Sequence, residues 1–78
     1  MISELETVVL RRDIRESGLK QGDIGTVVHC YADGTAFEVE FVTAAGKTVA
    51  LLTLKQTDIR PMSSKEILHA REFMPASA

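Results

Sequence analysis

The feature that most constrains this fold is a two-residue turn signal followed by a strictly alternating segment. Asp33-Gly34 favours a tight type I′ hairpin, because aspartate and glycine tolerate the positive φ angles that this turn requires. Just after it, Phe37, Val39 and Phe41 alternate with two glutamates. Such alternation places apolar side chains on one face of a strand and charged side chains on the other. The segment therefore predicts an antiparallel strand with one buried face.

Four more strands are expected around this hairpin. Short β-branched or apolar runs, bounded by turn residues, predict them at residues 7–10, 24–31, 48–54 and 58–60. Gly25 indicates a bend or a close backbone approach in the second strand. One turn of 3₁₀ helix is expected at residues 55–57, and Pro61 ends the last strand because it lacks an amide hydrogen. Because closure removes exposed edges, five short antiparallel strands favour a small SH3-like barrel in a mainly β protein.

The chain then changes to helical spacing. Residues 63–66, Ser-Ser-Lys-Glu, match a capping box, and Ile67, Ala70 and Met74 share one helical face before Pro75. A helix this short is not stable alone in water, so it must dock on its own barrel or on another chain, or else stay largely disordered. The predicted organisation is an SH3-like barrel at residues 1–62, a C-terminal α-helix at 63–74 and a disordered tail at 75–78.

Composition and charge narrow the function classes. Nine basic residues against eleven acidic ones give a formal net charge of −2, which does not suit a surface built to neutralise phosphates. Cys30 is the only cysteine, which excludes an internal disulfide and a thiolate cage for a metal, and favours a reducing cytoplasm. The sequence has no recognisable leader and no run of 18 apolar residues, so neither export nor a membrane partner is expected.

No combination of side chains predicts catalysis, a cofactor or a metal site. His29 and Cys30 are neighbours on a strand and point to opposite faces, so they cannot share a metal or act as a nucleophile and its base. Glu38 and Glu40 lie about 7 Å apart on one strand face, as glycosidase carboxylates can, but a solvated acidic face explains them better. We therefore expect a protein that is not an enzyme, with Cys30 as a small core residue.

The order of motifs resembles a known family. Residues 18–28 read Gly-Leu-Lys-Gln-Gly-Asp-Ile-Gly-Thr-Val-Val, and Asp33-Gly34, Phe-Glu-Val-Glu-Phe at 37–41 and Leu-Lys-Gln-Thr-Asp-Ile-Arg-Pro at 54–61 follow in order. The combination resembles the bacterial family catalogued as domain of unknown function 4926, over roughly residues 5–62. The resemblance implies an SH3-like barrel without an assigned activity, encoded in small two-gene units beside another short protein. It thereby implies an antitoxin-like or immunity-like binding role.

Apolar surface in need of a cover is the main indication of a partner. If Val49 and Leu51 pack inward in the fourth strand, then Ala50, Leu52 and Leu54 face outward. Either the tail helix folds back over that face or over an open barrel end, or a second chain provides the cover. We expect a cognate small protein, with a homodimer as an alternative, on a surface formed by Glu38, Glu40, Ala50, Leu52, Leu54, Ile67, Leu68 and Met74.

A nucleic-acid-binding domain similar to ribosomal KOW domains is the other alternative. Its contacts would come from the one basic concentration in the sequence, which consists of Arg11, Arg12, Arg15 and Lys20. Asp13 and Glu16 interrupt this group and weaken its field, and four aromatic residues offer no obvious stacking platform. Nucleic acid is therefore a less favoured partner than a protein.

Overall fold

A computed structural model describes residues 2–76 of the chain and contains one antiparallel sheet of five strands. Two 3₁₀ turns, Arg15–Ser17 and Gln56–Asp58, lie between strands. Every predicted strand is confirmed to within one residue at each end, and the expected 3₁₀ turn is found one residue later. The strands are β1 Thr7–Leu10, β2 Ile24–Cys30, β3 Ala36–Val42, β4 Thr48–Lys55 and β5 Ile59–Pro61.

The strand order across the sheet is β4-β3-β2-β1-β5. β5 pairs with β1 in the register Leu10↔Ile59, so the first and last strands of the chain are neighbours. The predicted closure is wrong, because among residues 2–76 the sheet stays open between β4 and β5. All three residues of β5 pair with β1, and Pro61 offers no amide hydrogen with which to extend the strand.

The core lies on one face of this curled sheet. Val8, Leu10, Val27 and Ile59 are at most 1% exposed, and they contact the buried face of β3. The loop between β1 and β2 adds Ile14 and Leu19, which exchange backbone hydrogen bonds of 2.8 and 3.1 Å. Burying an aliphatic side chain contributes roughly 1.5–3 kcal/mol, so the alternation in β3 accounts for much of the stabilisation.

Gly25 is placed where the backbone of β2 passes over the core. A Cβ atom at this position would lie 2.6 Å from Val39 Cγ1 and 2.8 Å from Phe41 Cε2. Carbon atoms pack at about 3.5–4.0 Å, so no side chain fits there without moving β3. The close backbone approach expected from the sequence is confirmed.

The hairpin at Asp33-Gly34 is present, but its turn type differs from the prediction. The Tyr31 amide donates to Ala36 O at 3.1 Å and the Gly34 amide donates to Tyr31 O at 2.9 Å, which makes a four-residue loop. Leu5 is the only non-glycine residue with a positive φ in the described chain, so Asp33 cannot occupy a type I′ position. Its carboxylate instead accepts the Thr35 amide at 3.1 Å, which holds the pKa of Asp33 below its ordinary value.

The predicted orientation of β4 is reversed. Leu54 is 4% exposed, Leu52 and Ala50 pack partly buried against the core, and Leu51 is 57% exposed. The register Phe37↔Leu54 sets this orientation, because directly opposite residues share a face and Phe37 points inward. A bulge leaves Val49 without a partner between the pairs Phe41↔Ala50 and Val42↔Thr48, so Val49 also packs inward.

The predicted C-terminal helix is wrong. Residues 63–76 form a turn and then an irregular segment, which we call the tail. One of the predicted capping contacts is present, since Ser63 donates its amide to Glu66 Oε1 at 2.6 Å. Arg60 also holds that carboxylate, and Arg71 and Phe73 reach the domain through a segment without helix. Contacts with the domain thus override a marginal helix. Residues 77 and 78 of the predicted disordered tail lie outside the described residues.

Candidate functional site

Two predicted site residues, Glu38 and Glu40, lie together on the outer face of β3. Their strand neighbours point into the core, so alternation turns both carboxylates toward solvent, where each is partly buried. The register places Thr53 of β4 opposite Glu38 and Leu51 opposite Glu40. We call the surface formed by Tyr31, Glu38, Glu40, Leu51 and Thr53 the acidic face.

Hydroxyl groups orient the two carboxylates of the acidic face. Tyr31 donates its hydroxyl to Glu38 Oε1 at 3.3 Å, and the Thr53 hydroxyl donates to the same oxygen. The Thr48 hydroxyl donates to Glu40 Oε2 at 2.6 Å. None of these donors carries a charge, so the hydrogen bonds fix the carboxylates without neutralising them.

Aliphatic and aromatic surface is exposed beside these charges. Leu51 is 57% exposed and Tyr31 is 41% exposed. The His29 ring, which lies next to Glu38 in register, packs edge-on against Tyr31 with the ring centroids 4.9 Å apart. Charged groups around an uncovered apolar side chain are suited to binding a protein, with the charge giving orientation and the apolar contact giving affinity.

The other predicted partner-binding residues are divided between the core and the tail. Ala50, Leu52 and Leu54 face the core, so they do not form the outer surface that the sequence suggested, and Leu51 stands there instead. Which residues of β4 face outward could be predicted from the sequence only if the register of β4 with β3 were known. The three predicted tail residues are exposed, at 93% for Ile67, 67% for Leu68 and 68% for Met74.

The predicted basic group does not form a continuous basic surface. Arg12 Nε pairs with Asp58 Oδ1 at 2.9 Å. Partial burial would raise the pKa of Asp58, but hydrogen bonds from Arg12 and from the Lys55 amide outweigh it and lower that pKa. Asp13 lies among the remaining basic side chains and accepts the Gln21 amide at 2.8 Å. Acidic groups therefore interrupt the charge that a nucleic acid would need.

Two contacts of the tail were not foreseen from the sequence. Arg60 holds Glu66 through hydrogen bonds of 2.8 and 2.7 Å, which with the Ser63 amide lower the pKa of Glu66 to about 2. Arg71 Nη2 lies 2.5 Å from Asp23 Oδ2. Residues 23 and 71 are 48 positions apart, and no local pattern in the sequence specifies which carboxylate an arginine so far along the chain will contact.

Within residues 2–76 no group of three or more histidine, cysteine or acidic side chains is arranged to hold a metal ion. None of the helical segments in that same part of the chain has the length and apolar character needed to cross a membrane.

Comparisons with known proteins identify the domain. A family model described as a domain of unknown function, DUF4926, matches residues 4–61. The match includes all five strands and ends before the tail begins. Searches of curated proteins and of solved structures gave no match.

Proposed function

The chain belongs to the DUF4926 family, and from this premise we propose that it is a non-enzymatic protein-binding module with a small basic protein as its partner. The partner docks on the acidic face. The protein acts as the antitoxin-like or immunity-like member of a bacterial two-gene pair in the cytoplasm. The observation that carries this proposal is an uncovered Leu51 opposite Glu40, on a face where both carboxylates are oriented and unneutralised.

The topology supports an SH3-like assignment for the domain. A long loop joins β1 to β2, a 3₁₀ turn joins β4 to β5, and β5 returns to pair with β1. In small curled sheets of this kind, loops and outer faces carry the binding residues, because the inner face is used by the core. This arrangement leaves the outer face of β3 and β4 available to a partner.

Charge and exposure indicate a basic partner. The acidic face places two carboxylates beside one apolar residue, and the described residues put no lysine or arginine in hydrogen-bonding contact with either carboxylate. A partner that brings arginine or lysine gains charge-assisted hydrogen bonds and steering at low ionic strength. Covering Leu51 then adds apolar burial that this chain does not supply by itself.

The test is binding of the product of the adjacent gene. Co-expression should yield a stable complex, and Leu51→Asp should weaken its affinity at least about tenfold, because it places a charge at the centre of the contact. Glu38→Gln combined with Glu40→Gln should reduce affinity mainly at low salt. Dissociation constants come from calorimetry at two salt concentrations.

Ala45→Asp is the matched control, because it adds the same charge to an exposed position at the tip of the β3–β4 turn. Ala45→Asp should unfold within about 0.5 kcal/mol of the original chain, as exposed substitutions usually do. Leu51→Asp places a second carboxylate opposite Glu40, so it should lose about 1 kcal/mol of stability and stay folded. If the adjacent gene product does not bind, or if Leu51→Asp binds as tightly as Ala45→Asp, the proposal is wrong.

The free edge of β4 supports a second candidate, a homodimer. Because the Tyr31 amide donates to Ala36 O, Ala36 directs its backbone toward β2 and Phe37 directs its own toward β4. The same alternation turns the backbone groups of Leu51 and Thr53 toward the open edge. Two copies could pair there as antiparallel strands, with Leu51 opposite Thr53 of the second copy.

Solution mass separates the two candidates. The homodimer predicts a doubled mass for the isolated protein in light scattering. The variant Thr53→Pro should have the monomer mass, because proline has no amide hydrogen to donate across the β4 edge. The heterologous complex predicts a monomer that gains mass only when the partner is added. A monomeric protein at millimolar concentration would exclude the homodimer.

A further inference from the structure

The tail is attached to the domain through side chains. Met62 donates its amide to Thr7 O at 3.2 Å, and beyond it no backbone hydrogen bond joins the described part of the tail to the domain. Arg71 and Phe73 make the contacts farthest along the tail. Ile67 and Leu68, which lie between Met62 and these contacts, remain exposed. A segment held by a few side chains can detach without disturbing the sheet.

The distal contact has the geometry of a specific recognition site. Arg71 donates from Nε to Asp23 Oδ1 at 2.9 Å and from Nη2 to Asp23 Oδ2 at 2.5 Å. The same Nη2 also donates to Gly18 O at 3.0 Å. Of the ion pairs in the described chain this one is the least exposed, with 29% and 18% of the two side chains accessible. A paired contact of this kind selects guanidinium over ammonium.

The acceptors are positioned by the domain itself. Asp23 Oδ2 accepts the Lys20 amide at 2.8 Å, and Asp23 O accepts the Leu10 amide at 2.9 Å. Partial burial would raise the pKa of Asp23, but hydrogen bonds from Arg71 and from the Lys20 amide outweigh it and lower that pKa. The hydrogen bond from the Lys20 amide belongs to the domain, so it orients the Asp23 carboxylate independently of the tail.

A second subsite lies next to these acceptors. Phe73 is partly buried against the core cluster, beside the end of β3 and the start of β4. Gly18 has a φ of 72°, and a Cβ on it would lie 2.8 Å from Met74 O and 3.3 Å from Phe73 Cε1. Glycine at position 18 therefore provides both the left-handed turn and the space through which the backbone of a bound segment passes.

We propose that the groove formed by Gly18, Leu19 and Asp23 is a peptide-binding site for a partner segment in which an aromatic residue follows an arginine by two positions. The tail is its intramolecular occupant, and the partner segment replaces it. The contacts that Arg71 and Phe73 make in the groove indicate that the ligand carries a guanidinium group and an aromatic ring. Ile67, Leu68 and Met74 remain exposed while the tail is seated, so the tail is held mainly through Arg71 and Phe73.

Competition between tail and ligand can be measured with a peptide. A tethered segment competes at an effective concentration of about millimolar, so the original chain should bind the peptide of residues 68–76 weakly. The full-length double variant Arg71→Ala, Phe73→Ala should bind it at least about fivefold more tightly. Titrations followed by amide chemical shifts should perturb the signals of residues 18–23. Arg71→Ala alone serves if the double variant proves unstable.

Two changes test the specificity of the groove in that background. Asp23→Asn, and a peptide with lysine in place of its arginine, should each weaken binding about tenfold, as loss of a charge-assisted hydrogen bond does. Glu16→Gln, which removes an exposed carboxylate from the same loop, should change nothing. The proposal is overturned if the folded double variant does not bind the peptide at millimolar concentration. It is also overturned if adding Asp23→Asn leaves the affinity for the peptide unchanged. This result is independent of binding at the acidic face.

Discussion

Gly25→Ala tests whether the close approach of β2 and β3 determines the core. The new methyl group would lie 2.6 Å from Val39 Cγ1 and 2.8 Å from Phe41 Cε2, and both side chains are at most 2% exposed. Overpacking of this kind costs about 1–3 kcal/mol, and the lower entropy of the unfolded alanine chain offsets about 0.4–1 kcal/mol of it. We expect the free energy of unfolding to fall by about 1–2 kcal/mol in urea denaturation.

A double-mutant cycle separates this clash from other effects. Val39→Ala alone should cost about 2 kcal/mol through lost burial and a cavity, but it also removes the nearest atom to the new methyl group. The double variant should therefore be more stable than the sum of the single effects predicts by about 0.5–1 kcal/mol. Gly34→Ala is the control, because Gly34 has a φ of 71° and open space around it, so its cost is conformational and should add to that of Val39→Ala. Strict additivity of Gly25→Ala and Val39→Ala would refute the steric argument.

Two further predictions concern the tail and β4. The depressed pKa of Glu66 means that its pairing with Arg60 contributes stability above pH 4.5, and that this contribution is lost as the pH falls toward 2. In the variant Arg60→Met, the pKa of Glu66 measured by carboxyl NMR titration should move from about 2 back toward 4.5. An unchanged midpoint would contradict the assignment. Leu54→Ala should cost about 2–4 kcal/mol in urea unfolding whereas Leu51→Ala should stay within about 0.5 kcal/mol, and equal costs would contradict the orientation of β4.

The strands could be predicted because their signals are local. Alternation in β3, the β-branched run in β1 and the turn residues that bound each strand act over a few positions, and the structure agrees with them to within one residue. Gly25 was interpretable for the same reason, since glycine within a strand indicates either a bulge or a close approach. The family assignment also follows from local motifs in a fixed order.

The orientation of β4 could not be predicted, because its apolar run does not alternate. Only pairing with β3 decides which side chains face the core, and that register depends on the turn at residues 43–47 and on the bulge at Val49. The conformation of the tail could not be predicted either. Its helical periodicity is a weak local preference, and it loses to contacts with Asp23 and the core that lie far away in sequence.

The path of the tail strengthens the case for a partner on the acidic face. The sequence left open whether the tail folds back over the outer face of the fourth strand or over an open end of the barrel. In the structure Phe73 packs partly buried against the core cluster, and Glu72 and Pro75 lie near Thr48 and Val49 at the start of β4. Leu51 remains 57% exposed with the tail already in place through Ala76. Under the proposed function, the partner provides the cover for Leu51.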